Sequence, residues 1–401
     1  MSLVGVPLDQ ISEDDLRRLI AEQAPESVYI DYKETTYGPT GDQHREFLAD
    51  ISSFANTVGG DLIIGMTEAS GVPTGFEPFP DYPDAELRRL DDMARTGLQP
   101  RISNLLMRAV PSPEGGYVIV VRIPRSYTQP HRVIHSNSNR FWARSSASPK
   151  RYEPNVEELR RIFNDVPSIA DRIRAFRTDR LVKITAGETP IPLSKIGKVV
   201  IHVVPLPSFA DGRLADVVSA VATGTHVPLP LDEIGYGNRT GVNLDGFINY
   251  TYGHAGARLA YAQFFRNGAI EGVGELRHED GDDKTRFVGR DFTTLVITAV
   301  RRYLGDLKSY DTGLPIFIFL SLCNAAKTVY RYSPEGLAWT DTPPLGREIA
   351  TFPEIYVESF DIDVPTTMRS VFNMVWNAFG LFQCDMYDGQ GNWRGERQTI
   401  S

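Results

Sequence analysis

The stretch Ser52-Ser53-Phe54-Ala55-Asn56-Thr57-Val58-Gly59-Gly60-Asp61-Leu62-Ile63-Ile64-Gly65-Met66 constrains this chain more than any other. A helix must end before a glycine pair, because one residue there takes a positive φ that glycine adopts cheaply. An apolar run too short for a helix follows at once, and it suits a buried strand. Upstream, Val28, Ile30 and Tyr32 alternate with Tyr29, Asp31 and Lys33, the period of two that gives a strand one apolar and one polar face. Phe47, Leu48, Ile51, Phe54 and Ala55 form one stripe of the intervening helix. Residues 26–71 therefore read as strand, loop, helix, strand and tight turn.

Acidic groups sit at the ends of this unit. Glu26 precedes the first strand, Asp31 lies on its polar face beside Lys33, and Glu68 leaves the second strand at the turn Ala69-Ser70-Gly71. If the two strands are neighbours, the three carboxylates converge at one edge, provided Glu26 sits in the turn after Pro25. Clustered carboxylates repel, so such a group binds a divalent cation or stays solvated.

The pattern Glu26-x4-Asp31-Tyr32-Lys33, then Phe54-Ala55-Asn56-Thr57-Val58-Gly59-Gly60, then an Ile-Gly strand followed by Glu68, resembles the AlbA_2 domain of the Schlafen family. The likeness spans roughly residues 10–165. It implies a mixed sheet with flanking helices that binds nucleic acid. It also implies that Glu26, Asp31 and Glu68, with Lys33 offsetting their charge, form a catalytic site holding Mg²⁺ or Mn²⁺ for cleavage of RNA. Asp31 stands where the family usually has Glu, and Glu68 where it usually has Asp, so each side chain differs by one methylene.

The charge distribution bears on the same question. The formal net charge is −9, yet residues 101–151 hold nine basic residues against the single acid Glu114, while residues 1–100 hold nineteen acids and seven bases. An almost all-arginine block on an acidic chain is the footprint of a phosphate-backbone surface; the other reading pairs these arginines with the acids of the first hundred residues. Arg101, Arg122, Arg125, His131, Arg132, Arg140, Trp142, Arg144, Lys150 and Arg151 are the expected nucleic-acid contacts, with Arg140, Trp142 and Arg144 placed on one strand face for gripping phosphates and stacking a base. His131 and His135 are four apart but have no third ligand, so they are read as surface or phosphate-facing.

The remaining elements are scaffold. Helices are expected at 11–24, 83–97 and 154–163, and a hairpin at 103–110 and 116–123. Residues 1–165 are read as the AlbA_2-like domain, 166–192 as a linker, and 193–401 as a second α+β domain. That domain holds a strand at 198–206, a short helix at 211–222 and an antiparallel meander over 243–275 with turns at Gly253–Gly256 and Arg266–Gly268. A helix at 291–304 capped by Asp291, a strand at 315–323 and a helix at 366–379 complete it. The fold class expected is α+β throughout.

Other classes are excluded. No run of eighteen apolar residues and no basic-then-apolar leader occurs, so neither a membrane span nor a secretory signal is expected, and the protein reads as cytoplasmic. Cys323 and Cys384 lie in apolar surroundings and read as reduced packing thiols. Gly197-Lys198 lacks the upstream glycine of a phosphate-binding loop, so no nucleotide cofactor is expected. Two readings follow. One is a metal-dependent endonuclease for tRNA or another structured RNA, acting as a homodimer, in keeping with a role in bacterial defence against phage that the family suggests. The other is a non-catalytic DNA- or RNA-binding regulator whose C-terminal domain senses a ligand or partner.

Overall fold

A computed structural model describes residues 3, 6–146, 148–210, 216–217, 227–231, 238–251, 259–278, 283–310, 312–333 and 338–394. The expected helix at 211–222, apart from 216 and 217, and the expected turn at 253–256 lie outside the described residues. The chain divides into two compact units, Met1–Ser168 and Ile169–Ser401. Both are α+β.

The first unit begins with α1 (Glu13–Ala21), where the Asp15 carboxylate accepts from the Ser12 amide at 2.9 Å in a capping box. It continues through β1 (Ile30–Lys33), α2 (Gly41–Ala55), β2 (Gly59–Ile64), the hairpin β3 (Met66–Ala69) and β4 (Val72–Phe76), and α3 (Asp84–Gly97). Then come β5 (Leu98–Gln99), β6 (Leu106–Pro111), β7 (Tyr117–Pro124), β8 (Arg132–Val133), β9 (Arg140–Phe141), β10 (Ala143–Ser145) and β11 (Ser148–Tyr152). The central sheet runs β1-β2-β7-β6, with β1 and β2 parallel and the other pairs antiparallel.

Both faces of this sheet are buried, and strand alternation assigns each side chain to a layer. Leu62 and Ile64 of β2, with Ile119, Val121 and Ile123 of β7, pack against Phe47, Leu48, Ile51 and Phe54 of α2. Ile63, Val118 and Val120 face the opposite way, onto Leu16 and Leu19 of α1. Gly59 enters β2 at φ 76°, and a Cβ there would lie 2.7 Å from the Ile123 carbonyl oxygen. Backbone conformation and the close approach of β7 both demand glycine at that position.

One helix, α4 (Val156–Ala186), covers most of the stretch expected as a linker. Its residues from Ile169 onward belong to the second unit, where Leu181 and Ile184 lie on one face of a large sheet. That unit contains β12 (Lys198–Pro205), the short helix α5 (Leu206–Ala210), β13 (Asn238–Val242), β14 (Gly246–Thr251), β15 (Ala260–Phe265), β16 (Ile270–Glu275), β17 (Arg277–His278) and β18 (Thr285–Val288). It continues with α6 (Gly289–Ser309), β19 (Ile316–Cys323), β20 (Thr328–Tyr332), β21 (Thr340–Asp341), β22 (Ile349–Thr351), β23 (Ile355–Val357) and α7 (Val364–Ala378). The sheet order is β13-β14-β15-β16-β12-β19-β22, with β23 also on β19. The expected meander is β14-β15-β16, antiparallel throughout. A fully buried β12 lies between β16 and β19. Helices α6 and α7 cover the other face through Val296, Val300, Tyr303, Phe372 and Trp376.

Asp291 lies in the first turn of α6 rather than at its cap, which is Val288. Cys323 and Cys384 are both buried free thiols. No helix among the described residues is long and apolar enough to cross a membrane.

Candidate functional site

Register explains how the acidic end of the first unit is assembled. Asp31 pairs with Leu62 and Lys33 with Ile64, so Asp31 and Lys33 share the sheet face that carries α2. There they meet Asp50, which α2 places in its buried stripe. Asp31 Oδ1 accepts from Lys33 Nζ at 2.7 Å, and its Oδ2 accepts from Arg144 Nη2. The Arg144 guanidinium, itself buried, also donates from Nε to Ser53 Oγ at 3.0 Å, and it stacks 3.8 Å above the Phe54 ring. Asp50 accepts from Arg151 through Oδ1 and from the Tyr37 hydroxyl at 2.6 Å through Oδ2.

Glu26 closes the group from the irregular segment between α1 and β1. Its Oε1 accepts from the Tyr32 amide at 3.2 Å, its own amide donates to the Gly71 carbonyl at 2.7 Å, and its carboxyl is hydrogen-bonded to Asp31. Burial, the Asp31 hydrogen bond and the Asp31 charge together raise Glu26 to about 7. Burial works against ionisation of Asp31 too, but Arg144 and Lys33 outweigh it and hold Asp31 below its ordinary value. Burial raises Asp50. Two adjacent carboxyls are thus set apart in proton affinity, Asp31 below its ordinary value and Glu26 above it.

The third expected acid does not join them. Glu68 is exposed, and its Oε2 accepts from the Gly71 amide at 2.5 Å within its own turn. Among the described residues no three His, Cys, Asp or Glu side chains are grouped to hold a metal. The donor set present does not fit a divalent cation: both Asp31 oxygens already face cations, and the Glu26 carboxyl is spent on Asp31 and the Tyr32 amide.

The basic block is largely internal, which corrects its expected placement. Arg144 lies inside the domain rather than beside Arg140 and Trp142 on one strand face, because the strand ends before Trp142 and β9 and β10 belong to different sheets. Arg151 is taken by Asp50 and stacks 5.4 Å from Trp142, which packs against the α2 core. Arg122 forms a two-nitrogen pair with the buried Asp61 and donates to the Leu3 carbonyl at 2.9 Å. His131 is fully buried, its Nδ1 at 2.7 Å from the Pro100 carbonyl oxygen, so it is not a surface or phosphate-facing histidine. Arg125 is half-buried over the Tyr127 ring. Arg101, Arg140 and Lys150 are exposed, and Arg132 is partly so. Arg140 contacts Glu153 at 2.8 Å in an exposed pair of the kind that contributes little.

Two structural residues escaped the sequence reading. Asp50 was legible as an acid within the apolar periodicity of α2. Asn56 had the motif alone as its signal. Its Nδ2 donates to the carbonyls of His131 (3.1 Å) and Trp142 (2.9 Å), and its Oδ1 accepts from the His131 amide at 2.7 Å. Asn56 thereby ties the end of α2 to the backbone next to Arg132 and close to Arg140.

Residues 26–153 match the family model described as Schlafen, AlbA_2. The N-terminal domain is a Schlafen AlbA_2 domain, and the match covers about a third of the chain. No curated protein matches the sequence. Among solved structures, the DIP2311 protein from Corynebacterium diphtheriae is 17% identical over 35% of this chain, with a TM-score of 0.24. The N-terminal domain of a putative ATP-dependent DNA helicase RecG-related protein from Nitrosomonas europaea is 19% identical over 36% of this chain and 96% of its own, with a TM-score of 0.27. The aligned part spans 26% of the Corynebacterium protein.

Proposed function

We propose that the chain is a nucleic-acid-binding protein whose AlbA_2 domain docks RNA or DNA through Arg101, Arg132, Arg140 and Lys150. The match of residues 26–153 to a nucleic-acid-related family carries this reading. The four cations left at the surface supply the electrostatic contact that phosphate backbones require. The Glu26, Asp31, Lys33, Asp50, Arg144 and Arg151 network serves as an ionic frame beneath that surface, in place of a metal centre. The second domain then senses a ligand or partner, as in a regulator.

One observation favours a second reading, cleavage. Glu26, raised to about 7, lies beside Asp31, which Arg144 and Lys33 hold below its ordinary value, and carboxyls whose proton affinities are set apart in this way can serve proton transfer in hydrolysis. Structured RNA, tRNA first, is the substrate to offer, a dimer would place two such sites on one RNA, and a defence role would follow from cleavage in the cytoplasm.

The experiment that separates the readings incubates the full chain with labelled tRNA, single-stranded DNA and duplex DNA, in Mg²⁺, Mn²⁺ or EDTA. Gel shifts without cuts that weaken in the Arg132→Ala, Arg140→Ala double variant support the binding module. Cuts lost in Glu26→Gln establish the second reading, and their loss in EDTA would overturn the metal-free frame. No shift with any probe refutes both.

A further inference from the structure

Helix α2 opens with Gly41, Asp42, Gln43 and His44, and the one-turn helix His135–Asn137 after β8 lies against this first turn. The imidazoles of His44 and His135 come together there, with ring centres 5.1 Å apart and planes inclined at 47°. A Cβ on Gly41 would lie 3.1 Å from Ser136 Oγ and 4.0 Å from His135 Nε2, so the His135 ring nitrogen faces the start of α2. Both rings are part-exposed, and no hydrogen bond to a protein group engages either ring among the described residues.

Imidazole pairs with open nitrogens are ligands for borderline divalent ions. Two imidazoles bound about 2.0–2.1 Å from one tetrahedral ion hold their ring centres about 5 Å apart, which is the spacing observed. Coordination needs neutral rings. The cations that face the pair are compensated: Arg45 is bonded to Asp42, and Arg89 to Glu86.

We infer that His44 and His135 form a two-histidine site for a borderline divalent ion of the Zn²⁺, Ni²⁺ or Cu²⁺ class, with water completing the coordination. The site lies outside the carboxylate network and uses none of the proposed nucleic-acid contacts as a ligand. It joins two histidines 91 positions apart in the sequence, and it excludes Mg²⁺, which prefers oxygen ligands. An ion bound there clamps the segment between β8 and β9, the strands that carry Arg132 and Arg140, onto α2.

Zn²⁺ and Ni²⁺ are titrated separately into the full chain at pH 7.5 by calorimetry, with Mg²⁺ as a control and histidine ring resonances followed by NMR. One equivalent is expected, broadening or shifting the His44 and His135 signals. Either His44→Gln or His135→Asn should weaken affinity by at least about tenfold, since even indirect ligand support is commonly worth that much. His278→Asn, an exposed histidine elsewhere, should leave this binding unchanged. Circular dichroism confirms that each variant is folded. Affinity within twofold of wild type in the folded double variant His44→Gln, His135→Asn overturns the site, as does the absence of heat and of ring shifts with both ions at millimolar concentration.

Discussion

Replacing Glu26 by Gln tests the carboxyl pair without altering its shape. The protonated Glu26 carboxyl and a Gln amide can make the same contacts, donating to Asp31 and accepting from the Tyr32 amide. Glu26 is raised from 4.5 to about 7. The folded state therefore binds this proton more tightly than the unfolded chain, and ionising Glu26 costs stability. The sign follows by linkage: the penalty is absent below the unfolded value near 4.5, grows as pH rises, and is complete above about 7. At 1.36 kcal/mol for each pKa unit, the full cost is ~3 kcal/mol. Glu26 is only about half buried, so solvent screening reduces this to roughly 1–2 kcal/mol. Glu26→Gln should accordingly stabilise the first domain by about that amount at pH 8 and change nothing at pH 4.5. Urea denaturation at the two pH values, fitted with a separate transition for each domain, measures the difference. Equal shifts at both pH values, or destabilisation at pH 8, would refute the proton-bearing pair.

Arg144→Met leaves Asp31 and Asp50 buried without their shared cation and should destabilise the first domain by ~3–5 kcal/mol in the same denaturation assay. Adding Asp31→Asn to that variant should recover part of the loss, because the stranded charge is gone; no recovery would assign the cost to packing on Phe54. In the second domain, the fully buried Glu271 accepts from Arg180 and His202, and although burial opposes its ionisation these partners lower it to about 2. Its contribution, ~3 kcal/mol, is present above pH 4.5 and is lost as pH falls towards 2. Glu271→Gln should flatten the acid-unfolding curve of that domain. The Arg132→Ala, Arg140→Ala pair should reduce the slope of log affinity against log salt by about 2, as measured by fluorescence anisotropy; an unchanged slope would place the nucleic acid elsewhere.

Much of the first domain was legible because its signals are local. The stripe of α2 and the glycine at 59 each follow from one residue's own conformational or burial demand, whereas the polar face expected of β1 is buried as well. The pairing of β1 with β2 was legible only as a condition, since register is a property of two strands together. Arg144 shows where local reading ends. Its neighbours Trp142 and Lys150 suggest a surface strand, yet its partners Asp31, Asp50 and Ser53 lie about ninety or more residues away in sequence. The excess of arginine over acid in residues 101–151 was real, and its cause was complementary: Asp61, Asp50 and Asp31 in the acidic first hundred residues are the partners. Nothing in a linear charge count distinguishes an arginine that faces phosphate from one that faces a buried aspartate. Likewise, the Asn56 motif announced a family without showing that its amide grips two loops at once.

The central position of β12 has a consequence for synthesis of the chain. This strand of Lys198 and seven further buried residues pairs on one side with β16 and on the other with β19, which ends at Cys323. Between the end of β12 and the end of β19 lie residues 206–323, which take roughly 6–24 s to translate at about 5–20 residues per second. Both edges of this apolar strand stay unsatisfied until β16 is made, and the β19 edge until residue 323, a state that invites pairing between nascent chains. Lys198 at its start and Pro205 at its end are a charge and a ring without an amide hydrogen, the two kinds of residue that interrupt such pairing. In the finished domain the same Lys198 is buried, its ammonium donating to Ser194, Ile196 and Asn324.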